Sequence, residues 1–183
     1  MFERLLERIA NALDAVGIPY MVIGGQAVLL YGEPRLTKDI DITLGADLDR
    51  LGDVLRLIQS LNFKPLVDPD VFTKQTMVLP CADSGSGIGV DLIFSFTPYE
   101  QQAMARVKTV KVGGAEIRFA SVEDLIVHKM IAGRPRDLED VKSVLLKNAG
   151  VDLAYIRHWL GQFSASSGES FATRFNQLVE ETG

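Results

Sequence analysis

The run DIDITL (39–44) sets two carboxylates one residue apart in a segment that otherwise reads as a strand. Side chains at i and i+2 on a strand share a face, so Asp39 and Asp41 project together while Ile40 and Ile42 face the core. Aspartate is disfavoured in strands, and like charges held close repel, more so when buried. A third acid, Asp91 in GVDLIF (89–94), lies between Val90 and Leu92. If the two strands are neighbours, three carboxylates converge. That set suits Mg²⁺, which keeps several waters and takes substrate phosphates as further ligands. Two such ions could align an attacking oxygen and a leaving pyrophosphate. A lone Asp-x-Asp pair is more often a solvated strand edge; the third acid weighs against that here.

Upstream, the apolar strand YMVI (20–23) runs into Gly24-Gly25 and then the helical AVLLYG. Glycine lets backbone N–H groups approach a phosphate, and a helix N-terminus favours anions. The pair fits neither a Walker A loop nor G-x-G-x-x-G. A Gly-Gly alone is more often a tight turn. Its spacing from the aspartates is informative, because the chain between them can leave the sheet as a helix and return as the next strand.

The remaining pattern is α+β: a mixed sheet flanked by helices, then a helical C-terminal part. Leu5, Leu6, Ile9, Leu13 and Val16 keep helical spacing, stopped by Gly17 and Pro19. Asp47 is placed to cap a helix over about 48–60. FKPLV (63–67), TKQTMVLP (73–80) and IGVDLIFSF (88–96) read as strands, with CADSGSG (81–87) as a loop. A short helix over 98–105 precedes a hairpin around Gly113-Gly114. Ser121 and Asp124 suggest a capping box for a helix ending near Gly133. Three further helices follow Pro135, and SASSG (164–168) is the one flexible-looking stretch. These boundaries give a core over 1–120 and a helical region over 121–183 packed on it.

At 183 residues, with 47% hydrophobic and 23% charged content, the chain can bury a full core. A net charge of -5 argues mildly against a general nucleic-acid coat, although a sum hides local patches. One cysteine, Cys81, permits no internal disulfide, which suits a reducing compartment. With only His128 and His158 besides, a Cys/His zinc site is disfavoured. There is no signal-like start and no apolar run near the roughly 20 residues of a membrane span. A cytoplasmic location is expected, with no membrane partner.

Taken together, Gly24-Gly25, Asp39/Asp41 and Asp91 resemble the nucleotidyltransferase superfamily, with the fold of DNA polymerase β. The finer pattern GGQAVLLYGEPRLTKDIDI, with Tyr31, Gly32, Arg35 and Thr37 before the acids, resembles minimal nucleotidyltransferases of the AbiEii kind, which include toxins of type IV toxin–antitoxin systems. EDLIVHKMIAGRPRDLEDV (123–141) resembles a second motif of that group, through Lys129, Arg134, Arg136, Asp137 and Asp140. The likeness spans about residues 15–145 of the sequence.

It implies that Asp39 and Asp41 hold Mg²⁺ and a nucleoside triphosphate such as ATP, and that Asp91 completes a second metal site and helps deprotonate an acceptor hydroxyl. Two Mg²⁺ ions are implied, with Mn²⁺ as a substitute. Gly24 and Gly25 would bind the triphosphate. Lys38, Lys129, Arg134 and Arg136 are candidates to neutralise it or the leaving pyrophosphate. Against this, Lys129 and Arg136 could pair with Glu123, Asp137 or Asp140, and Arg35 and Lys38 could balance local charge. The acceptor is either RNA, such as a tRNA end in a toxin-like enzyme with a cognate antitoxin, or a small molecule or protein hydroxyl, as in antibiotic adenylyltransferases. A non-catalytic nucleotide-binding module is the alternative of another class. His128 reads as core or surface, and Trp159 and Phe163 as tail core.

Overall fold

The computed structural model describes residues 1–182. Those residues form one seven-stranded mixed sheet ordered β3-β4-β5-β2-β1-β7-β6, with helices packed around it. Helix α1 (Phe2–Ala15) buries Leu5, Leu6, Ile9 and Leu13 and packs along the hairpin β6 (Lys108–Val112) and β7 (Ala115–Phe119). Strand β1 (Tyr20–Ile23) pairs antiparallel with β2 (Asp39–Leu44). Helix α2 (Gly24–Tyr31) lies between them in sequence and packs on both. The helix begins at Gly24, so the two glycines form its first turn, where N–H groups lack intrahelical partners.

The middle of the chain departs from the expected strands. Residues 69–76 are helix α4 (Pro69–Thr76). Asp68 caps it by accepting the Val71 N–H, and Pro69 opens it in a φ already suited to a helix. That local chemistry overrides the strand preference of Thr73 and Thr76. Met77, at φ 62°, ends α4 and turns the chain into β4 (Val78–Asp83). Cys81–Asp83 thus belong to a strand and not to the expected loop, and the turn after them is fastened by Asp83, which accepts the backbone N–H and hydroxyl of Ser86. Strand β3 (Phe63–Pro65) pairs with β4 as the edge, and β4 pairs with β5 (Gly89–Phe94).

Asp47 makes no side-chain cap; a single 3₁₀ turn, Leu48–Arg50, leads into α3 (Leu51–Ser60) instead. Helix α5 (Pro98–Ala105) starts with a Thr97–Glu100 capping box. Helix α6 (Val122–Ala132) is capped by Ser121 and closed by left-handed Gly133. The Asp124 carboxylate takes the Ser121 hydroxyl and the Tyr155 hydroxyl, so its bond to the cap runs side chain to side chain. Helices α7 (Pro135–Lys147), α8 (Leu153–Ser167) and α9 (Phe171–Thr182) complete the chain. Ser164–Ser167, expected to be flexible, finish α8, with Ser166 and Ser167 donating to the Phe163 carbonyl and Gly168 capping the end.

Helices α6 and α7 pack on α2, which brings the 129–137 segment over the start of that helix. Tyr31 locks the junction: its hydroxyl donates to the Ala120 carbonyl at 2.8 Å. No helix of the described residues is long and apolar enough to cross a membrane.

Candidate active site

The strand register answers why two aspartates share a face. Strands β2 and β5 are adjacent and parallel, with Asp41 beside Asp91 and Asp39 beside Gly89. Asp39, Asp41 and Asp91 line one cavity of about 690 Å³. The flanking Ile40, Ile42, Val90 and Leu92 are fully buried on the opposite face of the sheet. Burial pushes the Asp41 carboxyl above the ordinary carboxylate range, and the charges of Asp91 and Asp39 push the same way; Lys129 and Arg134 pull it back. Asp91 is raised by burial and then by Asp39. The three acids form a centre of negative charge that Lys129 and Arg134 relieve only in part at Asp41.

Such a centre fits a divalent cation. Among the described residues no three His, Cys, Asp or Glu side chains stand as a ready-made metal cage. Mg²⁺ does not need one, because it is bound through one or two carboxylates with waters and substrate phosphates filling the rest of its octahedron. Asp39, Asp41 and Asp91 are the residues that would hold it.

Gly24 and Gly25 line the same cavity from the first turn of α2. Gly24 has φ +62°, and a Cβ built on it would stand 1.9 Å from Asp41 Oδ2. The backbone at the start of α2 therefore lies against the Asp41 carboxylate. A Cβ on Gly25 would stand 2.4 Å from the Thr37 methyl carbon. Thr37 belongs to the loop between α2 and β2, and its hydroxyl accepts a hydrogen bond from Gln26 Nε2 at 2.7 Å. Bare backbone and a helix N-terminus beside paired carboxylates can take phosphate oxygens and the cation that accompanies them.

The opposite wall is a chain of ion pairs. Lys129 Nζ lies 2.6 Å from Asp137 Oδ1 and 2.9 Å from Asp140 Oδ2, with all three side chains no more than 7% exposed. Arg134 pairs with Asp137 at 2.6 Å, and Arg35 grips Asp140 through Nε and Nη2, each at 2.9 Å. Burial alone would raise Asp137, but its bonds to Arg134 and Lys129 outweigh that and hold its carboxyl below the usual range. Lys129 is thus in the structural network that the sequence left as an alternative, while still lining the cavity. Arg134 lines it with its side chain 74% exposed. Lys38 and Arg136 line it too, and among the described residues neither is ion-paired. Arg35, which could have served phosphate or charge balance, does the second through Asp140.

Gly89 escaped the sequence reading. A Cβ there would stand 2.5 Å from Asp39 Oδ1, so the Asp39 carboxylate lies over bare backbone of β5. Only strand register could reveal this. His128 is half-buried, its ring 5.7 Å from Tyr99, and Trp159 and Phe163 pack edge-on against the same tyrosine. All three belong to the packing of α8 on α5 and α6.

A family model described as "Nucleotidyltransferase of unknown function" (DUF6036) matches residues 2–181. No curated protein matches the sequence at a significant level. Among solved structures, the antibiotic-resistance factor ANT(2'')-Ia aligns with a TM-score of 0.62 at 16% identity, over 91% of this chain and 92% of that one. The same protein in complex with adenylyl-2''-tobramycin aligns at 0.59 and 17%, over 94% and 98%. An antigenic nucleotidyltransferase-like protein from Paracoccidioides brasiliensis aligns at 0.57 and 17%, over 91% and 88%. At these identities the likeness establishes a shared fold.

Proposed function

We infer, for a chain that belongs to this nucleotidyltransferase family, that Asp39, Asp41 and Asp91 support Mg²⁺-dependent transfer of a nucleoside monophosphate from an NTP to a hydroxyl acceptor. The observation that carries the reading is the alignment of Asp41 with Asp91, with the Gly24 backbone against Asp41. Carboxylates raised by burial, and then by neighbouring carboxylate charge, are held where a first-turn backbone can take phosphate.

In this reading the triphosphate lies along Gly24 and Gly25, with Lys38, Arg134 and Arg136 facing its β- and γ-phosphates. The buried Lys129 fixes Asp137 and Asp140, which in turn orient Arg134 and Arg35. Mg²⁺, when bound, neutralises the phosphate oxygens and lowers the barrier to charge build-up on them. The acceptor oxygen attacks the α-phosphorus. A new O–P bond forms, the bond from the α-phosphorus to the bridging oxygen breaks, and pyrophosphate leaves with that electron pair. Asp91, raised above the usual carboxylate range, takes the hydroxyl proton.

Two acceptors compete. The likeness of the 123–141 segment to AbiEii-type enzymes favours RNA, with a cognate antitoxin as partner. The shared fold with ANT(2'')-Ia, seen with adenylyl-2''-tobramycin, favours a small hydroxylated molecule. Incubation with each α-³²P-labelled NTP, Mg²⁺ and a fractionated cell extract tests the transfer itself. Labelled product that Asp41→Ala cannot form is the expected result; no variant-sensitive label with any nucleotide would leave only a binding module.

A further inference from the structure

The face of the sheet that carries the carboxylates continues past them as an open strip. On β4 and β5, alternate residues Leu79, Cys81, Val90 and Leu92 are buried to within 1%. Their neighbours on the carboxylate face, Pro80, Ala82 and Gly89, are only half buried. The pairing registers set these residues in two rows. One runs Asp39, Gly89, Ala82, Lys64; the other runs Asp41, Asp91, Pro80. The second row extends to Leu66, whose N–H donates to the Pro80 carbonyl at 2.9 Å and which is 59% exposed.

Resting on the nucleotidyl-transfer reading, we propose that this strip is the acceptor site and that it takes a small hydroxylated molecule with an apolar face, not RNA. The pyrophosphate side of the reaction is fixed by Gly24, Gly25 and the basic wall. In-line displacement puts the incoming hydroxyl on the opposite side of the α-phosphorus, which is the β5 side, past Asp91. There the floor is made of residues too small to obstruct: glycine, alanine and proline. Asp39 leans onto this floor, its carboxylate over Gly89. The row from Asp39 to Lys64 spans about 14 Å, three strand spacings of about 4.8 Å, a length that suits a drug-sized molecule.

Charge decides between the acceptors. RNA binding draws on several phosphate contacts from basic side chains. Among Lys64, Leu66, Pro80, Ala82 and Gly89 there is one base, Lys64, at the far rim. The cavity's own bases lie on the triphosphate side, where Lys38, Arg134 and Arg136 would face the nucleotide and Lys129 and Arg35 are held by Asp137 and Asp140. A floor with a single base offers a polyanion few phosphate contacts and suits a ligand held through its hydroxyls and an apolar face.

The test uses the full chain, α-³²P-labelled NTPs with Mg²⁺, and two acceptor preparations from one cell extract: a low-molecular-weight filtrate and total RNA. Wild type is compared with Ala82→Arg and with Pro80→Gln, a smaller, uncharged block on the same floor. Metal-dependent NTP binding and melting temperature are read alongside. The expected result is label in the filtrate that falls about a hundredfold in Ala82→Arg and also falls in Pro80→Gln, with NTP binding unchanged in both. Label in RNA alone, or filtrate label indifferent to both variants, would overturn the assignment while leaving nucleotidyl transfer intact. Absence of metal-dependent NTP binding in the wild type would instead remove the transfer reading, and the acceptor site with it.

Discussion

Asp41 stands beside Asp91 on adjacent parallel strands, with its carboxylate against the bare backbone of Gly24. Burial first, then the charge of Asp91 and Asp39 on Asp41 and of Asp39 on Asp91, holds both carboxyls above their usual range, so the native state bears a cost that a cation would relieve. Asp41→Asn removes one of the repelling charges and keeps the shape. The variant should melt no lower than wild type, and within a few degrees above it, while nucleotide transfer falls by about a thousandfold. Thermal melts beside a labelled-NTP assay check both; a large drop in melting temperature would mean that Asp41 is a structural residue.

Two glycines should respond differently to the same change. Gly24→Ala meets a left-handed φ, costing about 1–2 kcal/mol, and a clash with Asp41. It should lose stability and transfer together. Gly89→Ala only displaces Asp39, so transfer should fall with little change in melting temperature. Equal effects at the two positions would contradict the geometry assigned to Asp39.

Lys129 and Arg134 separate structure from binding. Lys129→Met leaves Asp137 and Asp140 buried without their shared partner, which should cost about 3 kcal/mol in a denaturant titration. Arg134→Ala leaves the buried Asp137 still paired with Lys129, so it should cost less than Lys129→Met, about 1–2 kcal/mol. Arg134→Ala should still raise the KM for NTP by about tenfold, the effect of losing one charge-assisted phosphate contact. A reversed pattern would place the phosphate contact at Lys129.

His128 gives the fold a pH dependence. Burial lowers its folded pKa below the ordinary histidine value of about 6.5. Below that value the unfolded chain binds a proton that the native state resists, so stability falls as pH drops from about 6.5 to the folded pKa and levels beneath it. His128→Leu should flatten this window in urea titrations across pH 5–7, a range set by that ordinary value. An unchanged slope would assign the dependence to other groups.

Much of this was legible in residues 20–44, where strand period, the glycine pair and Asp-x-Asp each carry their own physical signal. Asp91 was found because strand alternation made its polarity conspicuous between Val90 and Leu92. Gly89 was not, because its role depends on which residue of β2 lies opposite, and register is a tertiary fact. The strand expected over 73–80 holds only from Val78, because Thr73 and Thr76 weigh towards β while the Asp68-Pro69 start carries 69–76 into a helix. The ion-pair wall was half legible: 129–140 showed the charges, but only the packing of α6 and α7 on α2 assigns Asp140 to Arg35.

The most direct measurement is calorimetric titration of each NTP, with and without Mg²⁺, into wild type and into the Asp39→Ala/Asp41→Ala double variant. Binding should require both the metal and the carboxylates: strong with Mg²⁺ in wild type, and weak in the double variant under either condition. Equally tight, metal-independent binding in both proteins would contradict this, and would make the paired aspartates bystanders to a nucleotide held elsewhere.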